Sequence, residues 1–213
     1  MAAPSTKILR EGSAQKRAAI LTAARELFLA DGFDRISVDA IAARAEVSKR
    51  TVYDYFGDKR TVLLAVVSEA WAALSAQIDK AIEHNLDAHF DGIDDLEAAL
   101  VAFSRDIAVS ALGSADYSAL IRLISMEAEH IPELSDVVGG SEPEELIAER
   151  FAEFHRAGLL DAPDARLAVE HFVALTFSST YDNSRFGRRS DDEYTDRMIT
   201  EGVRAFVRAY AVR

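Results

Sequence analysis

Apolar positions along this chain recur at intervals of three and four rather than two, so the pattern predicts helices and no strand. Ile20, Leu21, Ala24, Leu27 and Phe28 share one stripe behind a Ser13 N-cap. The stripe ends at Asp31-Gly32, where Gly32 suits the left-handed C-cap position and Phe33 can pack back on Phe28. Two short helices follow. Ser37 caps one that carries Val38, Ile41 and Ala42, with Asp39 in the first turn where the helix dipole favours a carboxylate. Glu46-Val47-Ser48 makes a turn, with Val47 as its apolar plug, and Ser48 caps a helix over about 49–55 that buries Val52 and Phe56. Asp58 then caps a long helix to about Glu83, whose seam is Leu63, Val67, Ala70, Leu74, Ile78 and Ala81.

Beyond a loop at 85–93, Asp94 and Glu97 have capping-box spacing and open a helix with Leu96, Leu100, Phe103 and Ile107 that stops near Gly113. A helix over about 116–130 is closed by Pro132, and Val138-Gly139-Gly140 is expected to be a flexible break. Ser141 and Glu144 box a further helix with Leu146, Ile147, Phe151 and Phe154, ended by Gly158. The last two helices cover about 163–183 and 190–210. In the first of them Leu167, Phe172, Val173, Leu175 and Phe177 spread beyond the usual apolar stripe of about 100°. Such a helix must be buried on two sides; one can be its own core and the other a partner subunit, the alternative being that both lie deep in a monomer. A homodimer is therefore expected, with Phe172, Val173, Phe177, Val203 and Phe206 in the interface. The expected fold is all-α, about nine helices.

Charge adds a feature that helix stability does not explain. Lys49 and Arg50 occupy a first turn, beside free amides and the positive dipole end, at a cost on the order of 0.3–1 kcal/mol each. Asp54 follows Arg50 by four residues, the weaker order for such a pair. Lys59 repeats the misplacement in the next helix. Cations and free amides together make an anion cradle, and the layout is that of a helix-turn-helix whose second helix enters the DNA major groove by its N-terminus. The net charge of −12 divides unevenly. Residues 1–60 hold 11 Lys/Arg against 8 Asp/Glu, a balance of +3, which leaves −15 for the rest. A mildly basic head can bind phosphates while an acidic body faces away.

Residues 14–60 resemble the DNA-binding domain of the TetR/AcrR transcriptional regulators. The resemblance is carried by AARELF at 23–28, Gly32-Phe33, Ser37-Val38, Ile41-Ala42, Val47-Ser48, Thr51-Val52-Tyr53, Tyr55-Phe56 and Lys59, while Arg50 stands where the family often has Gly. It implies a helix-turn-helix domain over 13–58 behind a disordered arm, 1–12, and a helical ligand-binding and dimerisation domain over 59–213 built on a four-helix bundle. It also implies a transcriptional regulator, most often a repressor, that binds a near-palindromic double-stranded operator and answers to a small-molecule effector. The DNA-contact candidates are Ser37, Ser48, Lys49, Arg50, Thr51, Tyr53, Tyr55 and Lys59. Lys49 and Arg50 would read or clamp the major groove, Thr51 and Tyr53 touch bases or backbone, and Tyr55 and Lys59 hold phosphates. A pocket for a small apolar effector is expected among Phe103, Met126, Phe151, Phe154, His155, Phe172 and Tyr181.

Little points to catalysis. The chain has no cysteine, which excludes disulfides and thiolate metal sites. Histidines 84, 89, 130, 155 and 171 are scattered, and Glu127 with His130 has the spacing of half a di-iron motif without the other half. Nucleophile elbows, phosphate-binding glycine loops and His-Glu-x-x-His are missing. No enzyme activity, metal or cofactor is expected. No run of about 18 uncharged apolar residues occurs and the N-terminus lacks a signal-like apolar block, so a cytoplasmic protein without membrane attachment is expected. The competing class is a small-molecule-binding helical protein, carrier or enzyme, without a DNA role. Its weakness is that the head keeps its misplaced cations.

Overall fold

The computed structural model describes residues 6–112, 114–139, 142–185 and 192–212. Among them are ten α-helices and no strand, only an isolated antiparallel bridge between Leu160 and Ala211. The all-α expectation holds. The chain divides into two compact units, Met1–Ala70 with Leu123–Val138, and Trp71–Arg122 with Gly139–Arg213. The division falls inside a continuous helix, and the later segment Leu123–Val138 groups with the N-terminal residues.

In the first unit, α1 (Thr6–Asp31), α2 (Val38–Arg44), α3 (Lys49–Phe56) and the start of α4 (Lys59–Asn85) are joined by α7 (Glu133–Gly139) up to Val138. Its core takes Ile20, Leu21 and Phe28 from α1, Ile41 from α2, Val52 from α3, and Val62, Leu63 and Val67 from α4. The expected turn after α1 is present. Gly32 has φ +82°, its N–H donates to the Phe28 carbonyl at 3.0 Å, and the Phe28 and Phe33 rings lie 5.5 Å apart.

Two sequence expectations fail here. The helix α1 begins at Thr6, so 6–12 are helical rather than a disordered arm and Ser13 is no cap; 1–5 lie outside the described residues. The stretch Lys7-Ile8-Leu9-Arg10-Glu11 consists largely of good helix formers, and they outweigh Ser13 as a start signal. The second failure is α7: the sequence treats Pro132 only as the close of the preceding helix and Val138-Gly139 as part of a flexible break, where a helix runs over Glu133–Gly139. Proline also suits a helix start, and the Ser135 N–H donates to the Pro132 carbonyl at 2.9 Å while Leu134 is buried. With α7 added, the expected count of about nine becomes ten among the described residues.

The second unit holds the rest of α4, α5 (Ile93–Ile107), a π-turned continuation at Ala108–Leu112, and most of α6 (Ala115–Glu127). It is completed by α8 (Glu142–Arg156), α9 (Ala165–Arg185) and α10 (Asp192–Tyr210). Phenylalanines form its centre. Phe151, Phe172 and Phe206 are fully buried, with centroids 5.4 Å apart for Phe151–Phe172, 5.3 Å for Phe151–Phe206 and 5.2 Å for Phe172–Phe206. Such tilted and edge-on pairs add to the burial itself. The α9–α10 crossing is close: a Cβ on Gly202 would stand 2.2 Å from the Leu175 carbonyl oxygen. Arg105 on α5 ties down Asp196 on α10 at 2.5 Å, and that pairing holds the Asp196 carboxyl below its usual range.

The capping box expected at Asp94 is not formed. Gly92 takes the N-cap without a side-chain bond, and Asp94 and Asp95 lie in the first turn, favoured by the dipole alone. Asp164, not foreseen, caps α9 by accepting from the Leu167 N–H at 3.1 Å. Ser141 and Ser190 lie outside the described residues. By length and composition α4 could cross a bilayer. Part of its apolar surface is buried in protein: Val62, Leu63, Val66 and Val67 in the first unit, and Leu74, Ile78, Ala81 and Ile82 in the second.

Candidate nucleic-acid interface and ligand pocket

The helix-turn-helix is set by two serine caps and a strained turn. Ser37 Oγ accepts from the Ala40 N–H at 3.1 Å, and Ser48 Oγ accepts from the Thr51 N–H at 3.0 Å. Between the helices, Val47 N–H bonds the Ala42 carbonyl at 3.0 Å and Glu46 N–H the Ala43 carbonyl at 3.3 Å, the Schellman pair. Glu46 takes the left-handed position with φ +54°, where glycine is the usual choice. Val47 is only half-buried, so it plugs the turn less fully than expected.

Lys49, Arg50 and Tyr53 are exposed near the start of α3, and the Arg50 side chain is 90% exposed, with Nε 3.8 Å from Asp54. Lys49 Nζ donates to Asp39 Oδ2 at 2.9 Å; this hydrogen bond, then the charge of Asp39, raises the Lys49 ammonium above its usual range. The hydroxyls of Ser37 and Ser48 are spent on caps, and Thr51 Oγ1 shares a hydrogen bond with Ser48 Oγ at 2.8 Å.

Tyr55 and Lys59 are tied within the head. The Tyr55 hydroxyl lies 2.7 Å from Ser13 Oγ and 3.0 Å from the Ser13 carbonyl. Lys59 Nζ donates to the Phe33 and Ile36 carbonyls at 2.9 and 3.0 Å and sits 4.1 Å from the Phe33 ring centroid. Its place at the wrong end of the α4 dipole is thus explained by the α1–α2 turn it clamps, with one ammonium hydrogen left over. Other head cations are also paired with carboxylates: Arg44 with Glu26 at 2.6 Å, Arg17 with Glu69 at 3.1 Å, and Arg60 with Glu133. Exposed pairs of this kind are worth about 0–1 kcal/mol, so phosphate can replace the carboxylates cheaply.

In the second unit a cleft of about 450 Å³, open mouth included, is lined by Trp71, Leu74 and Ile78 of α4, Phe103 and Ile107 of α5, Pro143, Glu144 and Ile147 of α8, and Val173 and Phe177 of α9. Its inner room suits roughly one water molecule, so a larger guest must part these helices. Of the seven pocket candidates only Phe103 is on this lining. Phe151, Phe154 and Phe172 are packed into the core, because their rings find one another. Met126 is 71% exposed and belongs to the first unit. His155 is exposed, its Nδ1 engaged by Leu160 and Ala162 backbone. The Tyr181 side chain lies outside the described residues. Trp71 and Glu144 are not among the sequence candidates: Trp71 borders the predicted seam, four residues after Val67 and three before Leu74, and Glu144 reads as a capping residue.

The dimer candidates need the same correction. Phe172, Phe177, Val203 and Phe206 are buried inside one protomer, and Val173 lines the cleft. Among the described residues, the apolar ones that α9 and α10 leave exposed are Leu167, Ala174, Leu175, Tyr194 and Ala209. Among the described residues no group of three or more His, Asp or Glu side chains is placed to hold a metal ion. Glu127 is buried and His130 exposed, linked only through backbone.

A serine-capped helix pair with cations at the leading end, followed by a helical unit with an apolar cleft, defines the class of ligand-responsive DNA-binding regulators. Residues 20–66 match the profile of bacterial regulatory proteins of the tetR family, and residues 98–212 match the AefR-like transcriptional repressor C-terminal domain. The chain belongs to the TetR family of DNA-binding transcriptional regulators, a family of regulators rather than enzymes. A TetR-family regulator from Mesorhizobium loti superposes with a TM-score of 0.84 at 26% identity, over 94% of this chain and 98% of that one. The flavonoid-responsive regulator FrrA gives 0.72 at 26% identity, over 94% and 99%. A helix-turn-helix regulator of Bacillus subtilis, YdeS, is 50% identical over 46 residues, 22% of this chain and 23% of that protein. The chain spans between 23 and 37% of the length of the curated relatives it matches.

Proposed function

We propose that this chain represses transcription as a homodimer on a near-palindromic operator and is released by a small, largely apolar effector. The observation that carries the DNA reading is the exposed Lys49 and Arg50 at the leading end of a serine-capped α3. Lys49 and Arg50 enter the major groove, Lys49 exchanging Asp39 for DNA, and Tyr53 contacts the backbone or a base edge. Ser37, Ser48 and Thr51 hold the helix ends, while Tyr55 and Lys59 position the motif and offer at most secondary phosphate contacts. The repressor reading is supported by the description of the C-terminal profile.

The dimer face is assigned to the outward stripe of α9 and α10 at Leu167, Ala174, Leu175 and Tyr194. Two heads then meet half-sites about 34–36 Å apart. The effector enters the cleft and displaces the Trp71–Ile78 stretch of α4, whose first turn carries Lys59. It releases DNA by binding more tightly to the state with α4 displaced. A protein working on chromosomal operators acts in the cytoplasm.

The test is retention on duplex DNA carrying the chain's own upstream sequence, read against salt. The wild type should show a steep slope, and Lys49→Ala should flatten it by about one unit of log–log slope. A wild-type protein with no salt-sensitive affinity for duplex DNA would favour the carrier class and end the proposal.

A further inference from the structure

The cleft carries a charge that its apolar outline does not need. Trp71, Phe103 and Phe177 bring three aromatic side chains to it, beside the aliphatic Leu74, Ile78 and Ile147. Glu144 is the one charged residue on the lining and is half-buried. No arginine or lysine is on the lining, and Arg166, Arg150 and Arg156 of α8 and α9 pair with other carboxylates: Arg166 with Glu145 at 2.6 Å, Arg150 with Asp87 at 2.9 Å and Glu153 at 2.6 Å, and Arg156 with Glu153 at 3.9 Å. Trp71 Nε1 is buried and lacks a hydrogen-bond partner.

We propose that the effector is an amphipathic monocation, with an amine or quaternary ammonium group against Glu144, an apolar body among the aromatic rings, and an acceptor atom for Trp71 Nε1. This rests on the reading of the cleft as the effector site and adds the chemistry of its ligand. Burial raises the Glu144 carboxyl above its usual range, the helix-start amide of α8 opposes that, and the Glu170 carboxylate adds to the rise. A cation relieves both the desolvation and the like-charge neighbour. A neutral guest seals the carboxylate away from water without compensation. An anion could accept from Trp71, but one neutral N–H does not outweigh repulsion from a half-buried carboxylate. The aromatic faces add attraction for a cation and none for an anion.

The chain's single tryptophan lines the cleft, so its fluorescence reports occupancy directly. Three probes share one phenylbutyl body: phenylbutylamine, phenylbutanol and phenylbutyrate. The amine should bind the wild type about tenfold more tightly than the alcohol, with the carboxylate weakest, and should lower retention of operator DNA. Glu144→Gln should cost the amine about tenfold and leave the alcohol within about threefold. The wild-type ranking needs no variant to fold. An alcohol or carboxylate that matches the amine, or an amine indifferent to Glu144→Gln, overturns the assignment of charge. Failure of all three probes to perturb Trp71 overturns the cleft as effector site, a separate result.

Discussion

In the head, α2 has seven residues and α3 eight, lengths at which an isolated helix does not persist in water. Ser37 and Ser48 cap their starts, Asp58 caps α4, Lys59 clamps two carbonyls of the α1–α2 turn, and the outer surface is laced with exposed ion pairs. In the body, α8, α9 and α10 run 15, 21 and 19 residues, and their centre is a packed set of phenylalanine rings. Over an aliphatic core that includes Ile20, Leu21, Val52 and Leu63, the head adds many small polar terms that stay accessible to a polyanion. The body is centred on large aromatic side chains and keeps one half-buried carboxylate on the lining of its cleft. The two regions combine the same kinds of interaction in different proportions.

That contrast breaks if single changes in the two regions cost alike. Phe206→Ala removes a fully buried ring from the aromatic set and should lose about 3–5 kcal/mol in urea unfolding. Sedimentation of the folded fraction should show association kept, since Phe206 faces its own core. Gly202→Ala should lose about 1–3 kcal/mol or more, because the added methyl meets backbone at 2.2 Å and forces α9 and α10 apart. A neutral result would mean that the crossing is looser than it stands here.

In the head, Asp58→Ala should lose only about 1 kcal/mol, the worth of a cap. The Thr61 N–H bond holds the Asp58 carboxyl below its usual 3.8, so folding favours the ionised form. The cap's contribution is therefore full above pH 3.8 and disappears as pH falls through the lower folded value. Unfolding of wild type and variant should converge in acid, and a gap that persists there would assign the loss to packing. Glu46→Gly should have the smallest effect and the opposite sign, stabilising by a few tenths to about 1 kcal/mol, as relief of the left-handed strain exceeds the entropy glycine adds to the unfolded chain. Thermal unfolding checks the direction.

Much of the head was legible because its signals are local. Ser37, Ser48 and Asp58 cap as their positions foretell, and Gly32 and Phe33 close α1 as their spacing requires. Where local signals compete, the reading failed. Ser13 looked like a cap and lies inside a helix, Asp94 looked like one and yields to Gly92, and Pro132 ends one helix and starts another. Lys59 shows the limit of a dipole argument. Its misplaced charge was read as phosphate-seeking, whereas two carbonyls and a ring from the preceding turn already engage it.

By itself the amino-acid order determined the helical class, the helix-turn-helix with its caps, the cations set against α3, and the breadth of the apolar surface on α9. Tertiary packing alone decided which side of α9 is core. Phe172 and Phe177 turn inward to other rings, and Leu167 and Leu175 are left exposed. It also decided that Glu144 faces an apolar cleft and that Asp39 holds Lys49. The reason is geometric. Periodicity specifies which residues share a helix face, but the partner of that face lies dozens of residues away and is chosen by how the whole set of helices fills space.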